Sequence, residues 1–97
     1  MGEPPRKRAF GSGDRPARRS SCHVRDLGNE VVLYVPESHQ VVVLNRTASF
    51  IFDLCDGSRT VADILDKLRT RYAAPEARLE QDLLATLGEL WTRGALE

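Results

Sequence analysis

The sequence predicts an α+β fold, a three-stranded antiparallel sheet followed by three α-helices. Two observations carry this expectation. Before residue 45 the apolar residues come in short β-branched runs separated by turn residues; after it they recur at helical spacing. Strands and helices segregated along the chain indicate α+β rather than alternating strand–helix units. A third observation bounds the answer: 97 residues, 41% of them hydrophobic, fit one small domain with a thin core.

The elements follow in order. Cys22 to Leu27 is the first strand, the weakest of the three, and Gly28-Asn29 is a turn signal. Glu30 to Val35 carries VVLYV, a β-branched and aromatic run suited to a strand. Pro36 to His39 interrupts it, and Gln40 to Leu44 (QVVVL) is the third strand. Connections this short predict an antiparallel meander. Asn45 is placed to cap a first helix bearing Ala48, Ile51, Phe52, Leu54 and Cys55 at helical spacing, which Gly57 should end. Thr60, with Asp63 three residues on, caps a second helix whose buried stripe is Val61, Ile64, Leu65 and Leu68. Tyr72 closes it and Pro75 blocks continuation. Glu76 to Arg93 is the third and longest helix, stopped by Gly94, after which Ala95-Leu96 is expected to fold back onto the sheet. A small sheet packed on three helices is a winged-helix-like arrangement.

Equal numbers of basic and acidic residues, 14 of each, hide a split. Residues 1–20 carry Arg6, Lys7, Arg8, Arg15, Arg18 and Arg19 against Glu3 and Asp14; the remainder is acidic. The first segment is rich in proline, glycine and serine, and Phe10 is its only sizeable apolar residue apart from Met1. Composition therefore predicts a disordered basic arm over residues 1–20 and a folded domain over 21–97.

Two features exceed what a bare core requires. A sheet with one wet face should alternate apolar and polar residues, but Val31–Val35 and Val41–Leu44 do not. An apolar edge strand is a liability in a soluble protein unless it serves to receive an extended peptide as a further strand. On the third helix Leu79, Leu83, Leu87 and Leu90 form one stripe, and Ala77, Leu84, Gly88 and Trp91 form a second beside it. That arc of roughly 160–180° is wider than a helix resting on one core needs, so Leu84 and Trp91 are candidate anchors for a partner.

The chemistry of an enzyme is not visible. His23 and His39 have no second ligand at metal spacing, Cys22 and Cys55 lack C-x-x-C spacing, and no serine sits in a G-x-S-x-G turn. The expectation is no catalytic residue, no metal and no cofactor. No run approaches the ~20 apolar residues of a membrane helix, and the start carries no secretory signal, so the default location is cytoplasmic. Winged helices often bind DNA, and the basic arm keeps that alternative in view. The third helix argues against it, because Glu76, Glu80, Asp82 and Glu89 outnumber its basic residues. A homodimer paired through the apolar sheet edge is a further possibility.

From Leu44 the chain reads LNRTASFIFDLCDGSRTVADILDKLRTRY and later DLLATLGELWTRGAL. Leu44-Asn45, Thr47-Ala48, Ile51, the run Leu54 to Gly57, Thr60-Val61 and Asp63-Ile64 form an ordered set, followed by Leu68, Tyr72, Asp82, Leu87, Leu90 and Gly94. With Pro36-Glu37 upstream, this set over residues 22–97 resembles the pyrroloquinoline quinone (PQQ) biosynthesis protein D family, the prototype of the recognition elements for ribosomally made, post-translationally modified peptides (RiPPs). The basic arm lies outside the family pattern as read from the sequence. The resemblance implies a non-catalytic module that binds the leader segment of a precursor peptide. The leader would add as a strand beside the third strand, in the cleft with the third helix. The module would present it to a modifying enzyme, a radical S-adenosylmethionine (radical SAM) enzyme or a leader peptidase. Candidate peptide-binding residues are Val41, Val42, Val43 and Leu44 on the strand and Leu83, Leu84, Leu87 and Trp91 on the helix, with Arg78 and Asp82 as rim charges.

Overall fold

A computed structural model describes residues 8–97. The order is β1 (His23–Asp26), β2 (Val31–Val35), β3 (Gln40–Leu44), α1 (Arg46–Leu54), α2 (Val61–Arg71) and α3 (Glu76–Thr92). The strands form an antiparallel sheet in the order β1-β2-β3, so β3 is an edge. Val31 pairs with Leu44, Leu33 with Val42 and Val35 with Gln40. The α+β class and the meander hold.

Side chains of Val31, Leu33, Val35, Val42 and Leu44 enter the core, while Val41 and Val43 are 59% and 58% exposed. The non-alternating composition thus conceals an ordinary alternation of orientation. Val32, Tyr34, Val41 and Val43 share the outer face, where Tyr34 stacks on His23 at 6.2 Å between ring centroids. The inner face meets Ile51 and Phe52 of α1, Ile64 and Leu68 of α2, and Leu83, Leu87 and Leu90 of α3.

The helix starts are built as their sequences require. The Asn45 side chain accepts the Ala48 amide at 2.8 Å. Thr60 and Asp63 form a reciprocal box: the Thr60 hydroxyl accepts the Asp63 amide at 3.1 Å, and the Asp63 carboxylate accepts the Thr60 amide at 3.0 Å. α1 ends at Leu54 with Cys55 as its C-cap, so Gly57 is not the helix stop; with φ +82° it turns the chain two residues after the cap. Gly94 takes φ +80° directly after the Arg93 cap of α3, as expected.

The expectation of a disordered arm fails for residues 8–20; Arg6 and Lys7 lie outside the described residues. The segment is held mainly through main-chain bonds at the ends of the helices, with Pro16 buried and Phe10 packed against the core. The first amides of a helix lack intrahelical acceptors. In α2 these are supplied by the arm: Val61 donates to the Asp14 carbonyl at 2.9 Å and Ala62 to the Ser12 carbonyl at 3.1 Å. Arg18 donates to the α1 carbonyls of Phe52 and Asp53, and Arg19 donates from Nε to the Gly94 carbonyl at 2.8 Å. Short bridges join Ala17 to Asp56 and Arg18 to Leu96. Ala95 and Leu96 are fully buried, but they pair with this segment rather than with the sheet.

Asp56 holds the turn before α2. Its carboxylate accepts the Ser58 amide at 2.9 Å and the Ser58 hydroxyl at 2.8 Å, with Arg59 beside it. These bonds, the Ser58 amide first, hold its pKa at about 2, below the usual 3.8. The Thr60 amide likewise lowers that of Asp63. Folded-state values below the unfolded ones mean stabilisation that is complete above the ordinary carboxylate range and is lost as pH falls toward 2. Thermal melts should therefore show Tm falling between about pH 4 and about pH 2, with a shallower fall in Asp56→Asn. Equal slopes in the two proteins would remove Asp56 from the acid response.

Candidate functional site

Antiparallel pairing decides which β3 amides are open. The Leu27 amide donates to the Glu30 carbonyl at 2.9 Å, closing the β1–β2 hairpin on a hydrogen-bonded pair. Such pairs alternate, so residues 32 and 34 of β2 bond toward β1, and residues 31, 33 and 35 bond toward β3. Their partners Leu44, Val42 and Gln40 spend their amides inside the sheet. The amides and carbonyls of Val41 and Val43 point away from β2, along the free edge.

That edge opens onto a groove whose far wall is α3. A cavity of about 340 Å³ is lined by β3 together with Asn45, Ala48, Ala85, Thr86, Glu89, Leu90 and Arg93. A second, of about 260 Å³, extends it past Asn45 and Thr47 to Asp82. On α3 the stripe Asp82, Ala85, Thr86, Glu89, Arg93 follows helical spacing along one face. Ala85 and Thr86, at its middle, are short and leave the cleft open. One end is tied together by Arg93, which donates to Glu89 at 2.8 Å and to the Gln40 side-chain oxygen at 2.9 Å. The Ser38 hydroxyl adds a bond to the Arg93 carbonyl at 2.6 Å.

The expected site residues divide. Val41 and Val43 stand on the open edge, and Val42 and Leu44 form its core-facing floor. Asp82 lies in the groove, and Arg78, one turn away, is exposed and 4.0 Å from it. Leu83 and Leu87 are fully buried in the core. Leu84 and Trp91 lie on a different flank, under the N-terminal segment. Phe10 meets Trp91 edge-on at 6.1 Å, Arg8 stacks over both rings, and Leu84 lines a small cavity with Phe10. The second apolar stripe of α3 is thus occupied by the chain itself, because a helical wheel shows which side chains share a face but not what covers them. Asn45, Ala48, Ala85, Thr86, Glu89 and Arg93 were not expected. The signal of the last four, small and charged residues at spacings of three and four beside the α3 leucine stripe, is weak in a search for apolar anchors.

The other cavities offer less. One of about 330 Å³ beside β1 is lined by Arg18, Arg19, Cys22 and Cys55 among others. Both thiols are unbridged. Burial pushes the Cys55 thiol up to about 12 and also raises that of Cys22, so neither is an activated nucleophile. Arg18 and Arg19 are engaged with main-chain carbonyls, which leaves the DNA-binding alternative without its expected mobile basic arm over residues 8–20. No helix among the described residues is long and apolar enough to cross a membrane.

Comparison with known proteins gives a consistent set. The PqqA binding protein of Rhodopseudomonas palustris (strain TIE-1) is 33% identical over 94 residues, covering 95% of this chain and 90% of the relative. An alignment that long takes in most of residues 1–20. The PqqA binding protein of Methylococcus capsulatus is 38% identical over 65 residues, 65% of this chain and 67% of the relative. The solution NMR structure of the PqqD truncation of Methylobacterium extorquens PqqCD, described as a functional and stand-alone RiPP recognition element, matches with a TM-score of 0.74 at 32% identity, over 92% of this chain and 95% of that one. TbiB1 in complex with the TbiA(beta) leader peptide shares the fold, with a TM-score of 0.73 at 22% identity over 84% of this chain and 94% of that one. The family described as coenzyme PQQ synthesis protein D (PqqD) matches residues 30–96, the stretch that holds β2, β3 and all three helices. With the fold, the open-edged strand and these relatives in agreement, the chain is a member of the PqqD family.

Proposed function

We propose that this protein binds the leader segment of a ribosomally made precursor peptide as a fourth strand on β3, with no catalysis of its own, and presents it to a modifying enzyme. The observation that carries this reading is the open edge of β3, where the Val41 and Val43 main-chain groups face a groove walled by the short side chains Ala85 and Thr86. An added strand lies ~4.8 Å from its neighbour and finds its hydrogen bonds in main-chain groups, so a small module can hold many residues of peptide with few side-chain contacts. Relatives are named for binding PqqA, and similar folds are known with leader peptides bound, which supports the same class of ligand here. A radical SAM enzyme or a leader peptidase fits as the partner that acts on the presented peptide. The unbridged Cys22 and Cys55 suit a reducing, cytoplasmic setting.

The test is a two-dimensional NMR titration of labelled protein with the leader half of the precursor peptide encoded beside it. Residues 40–45 and 82–93 should shift, with saturation at roughly micromolar peptide. Shifts confined to residues 8–20 and the Trp91 flank, or none with the modifying enzyme also present, would overturn the reading. A homodimer through β3 would bury the same edge, so its dissociation on adding peptide, followed by sedimentation, is part of the same experiment.

A further inference from the structure

The groove is not uniform along its length, and the difference bears on which peptides it accepts. Its middle section is apolar, floored by Val42, Leu44 and Leu90 and walled by Ala48 and Ala85. At the Gln40 end the charges cancel: Arg93 is bonded to Glu89 at 2.8 Å and to Gln40 at 2.9 Å. At the Asn45 end the lining is Asn45, Thr47, Ala48, Asp82, Ala85 and Thr86, and Asp82 is the one charged side chain among them. Its nearest ion-pair partner, Arg78, stands at the long distance of 4.0 Å, and both side chains are more than half exposed. A contact of that kind is weak and readily exchanged.

We propose that Asp82 is a specificity-determining residue, selecting a lysine or arginine two positions along the peptide from an apolar residue seated in the middle section. The inference rests on the strand-addition reading above. Side chains at i and i+2 of a strand share a face and lie ~6.6–6.8 Å apart. One inward side chain over Val42 and Leu44 therefore places the next inward one toward Asn45, Thr47 and Asp82. A cation there meets the Asp82 carboxylate and an anion meets a like charge, while the neutral Asn45 and Thr47 beside it favour neither sign. Charges at the rim of an interface set register and exclude wrong partners more than they add affinity. A single acid at one end of an otherwise balanced groove also distinguishes a strand from its one-residue slip, because the slip turns the cation outward.

The test uses the full chain with Asp82→Asn and Asp82→Lys, and the synthetic leader half of the neighbouring precursor with each basic residue changed in turn to alanine or glutamate. Asp82 is exposed, so both variants should melt as the parent does. Binding followed by fluorescence anisotropy should weaken about 5- to 10-fold in Asp82→Asn, with a smaller loss on adding salt, and further in Asp82→Lys. One leader variant, with glutamate in place of the selected basic residue, should bind Asp82→Lys better than the parent leader does. Unchanged affinity in Asp82→Asn, or no leader position that responds to the swap, overturns the proposal while leaving strand addition standing. Failure of the parent protein to bind the leader at all, with or without the modifying enzyme, would instead remove the reading beneath it.

Discussion

Replacing Val43 with proline is expected to weaken peptide binding on the order of 100-fold while the protein stays folded. The Val43 amide faces the open edge, so the substitution takes nothing from the β2–β3 ladder. Proline is tolerated on edge strands for this reason. It removes one donor to the incoming strand, leaves the peptide carbonyl opposite unsatisfied, and puts ring carbons where the peptide backbone should lie. Val42→Pro is the informative companion. Its amide is spent on β2 and its side chain is 7% exposed, so that change should unfold the domain rather than merely silence it. Calorimetric titration and thermal melts on both variants separate the two effects. A folded Val43→Pro protein with parental affinity would place the peptide elsewhere than on β3.

Removing residues 1–20 is expected to destabilise the domain by about 3–5 kcal/mol, lowering Tm by about 15 °C or more. The segment supplies acceptors for the Val61 and Ala62 amides, donors for the Phe52 and Gly94 carbonyls, and the cover over Trp91. Each bond contributes about 1 kcal/mol net, offset in part by the entropy released when the segment is freed. Its loss also uncovers Ala95 and Leu96, both fully buried in the intact chain. A domain of this size has a total stability of only about 5–15 kcal/mol, so the change should be plain in a urea titration. A truncated chain with the parental midpoint would show that the contacts of this segment carry no net stability.

What the sequence disclosed, and what it withheld, follows from the kind of interaction involved. β2 and β3 announce themselves because their side chains are β-branched, and α1 and α2 because Asn45 and Thr60–Asp63 are capping residues at the right places. The core leucines of α3 are legible from their spacing. The groove is not, because its wall is Ala85 and Thr86, residues chosen for what they leave empty. The parity of β3 is hidden as well: four consecutive apolar residues, Val41 to Leu44, look alike from either face until the Gly28-Asn29 hairpin fixes the alternation. The N-terminal segment misleads for a related reason. Composition reports how much apolar surface a segment can bury, but Asp14 and Ser12 are held through main-chain carbonyls, which every residue carries.

The orientation of Val41 and Val43 bears on how such a protein can drift. At these positions the main chain faces the groove and the side chain faces the opposite surface of the sheet, 59% and 58% exposed. Any residue that tolerates an extended backbone leaves the edge intact, so substitution there is cheap. An inserted or deleted residue between His39 and Asn45 is another matter, since it would turn the edge amides into the sheet and the core side chains out of it. A binding edge of the proposed kind, written in backbone geometry, would be guarded by length and phase rather than by residue identity.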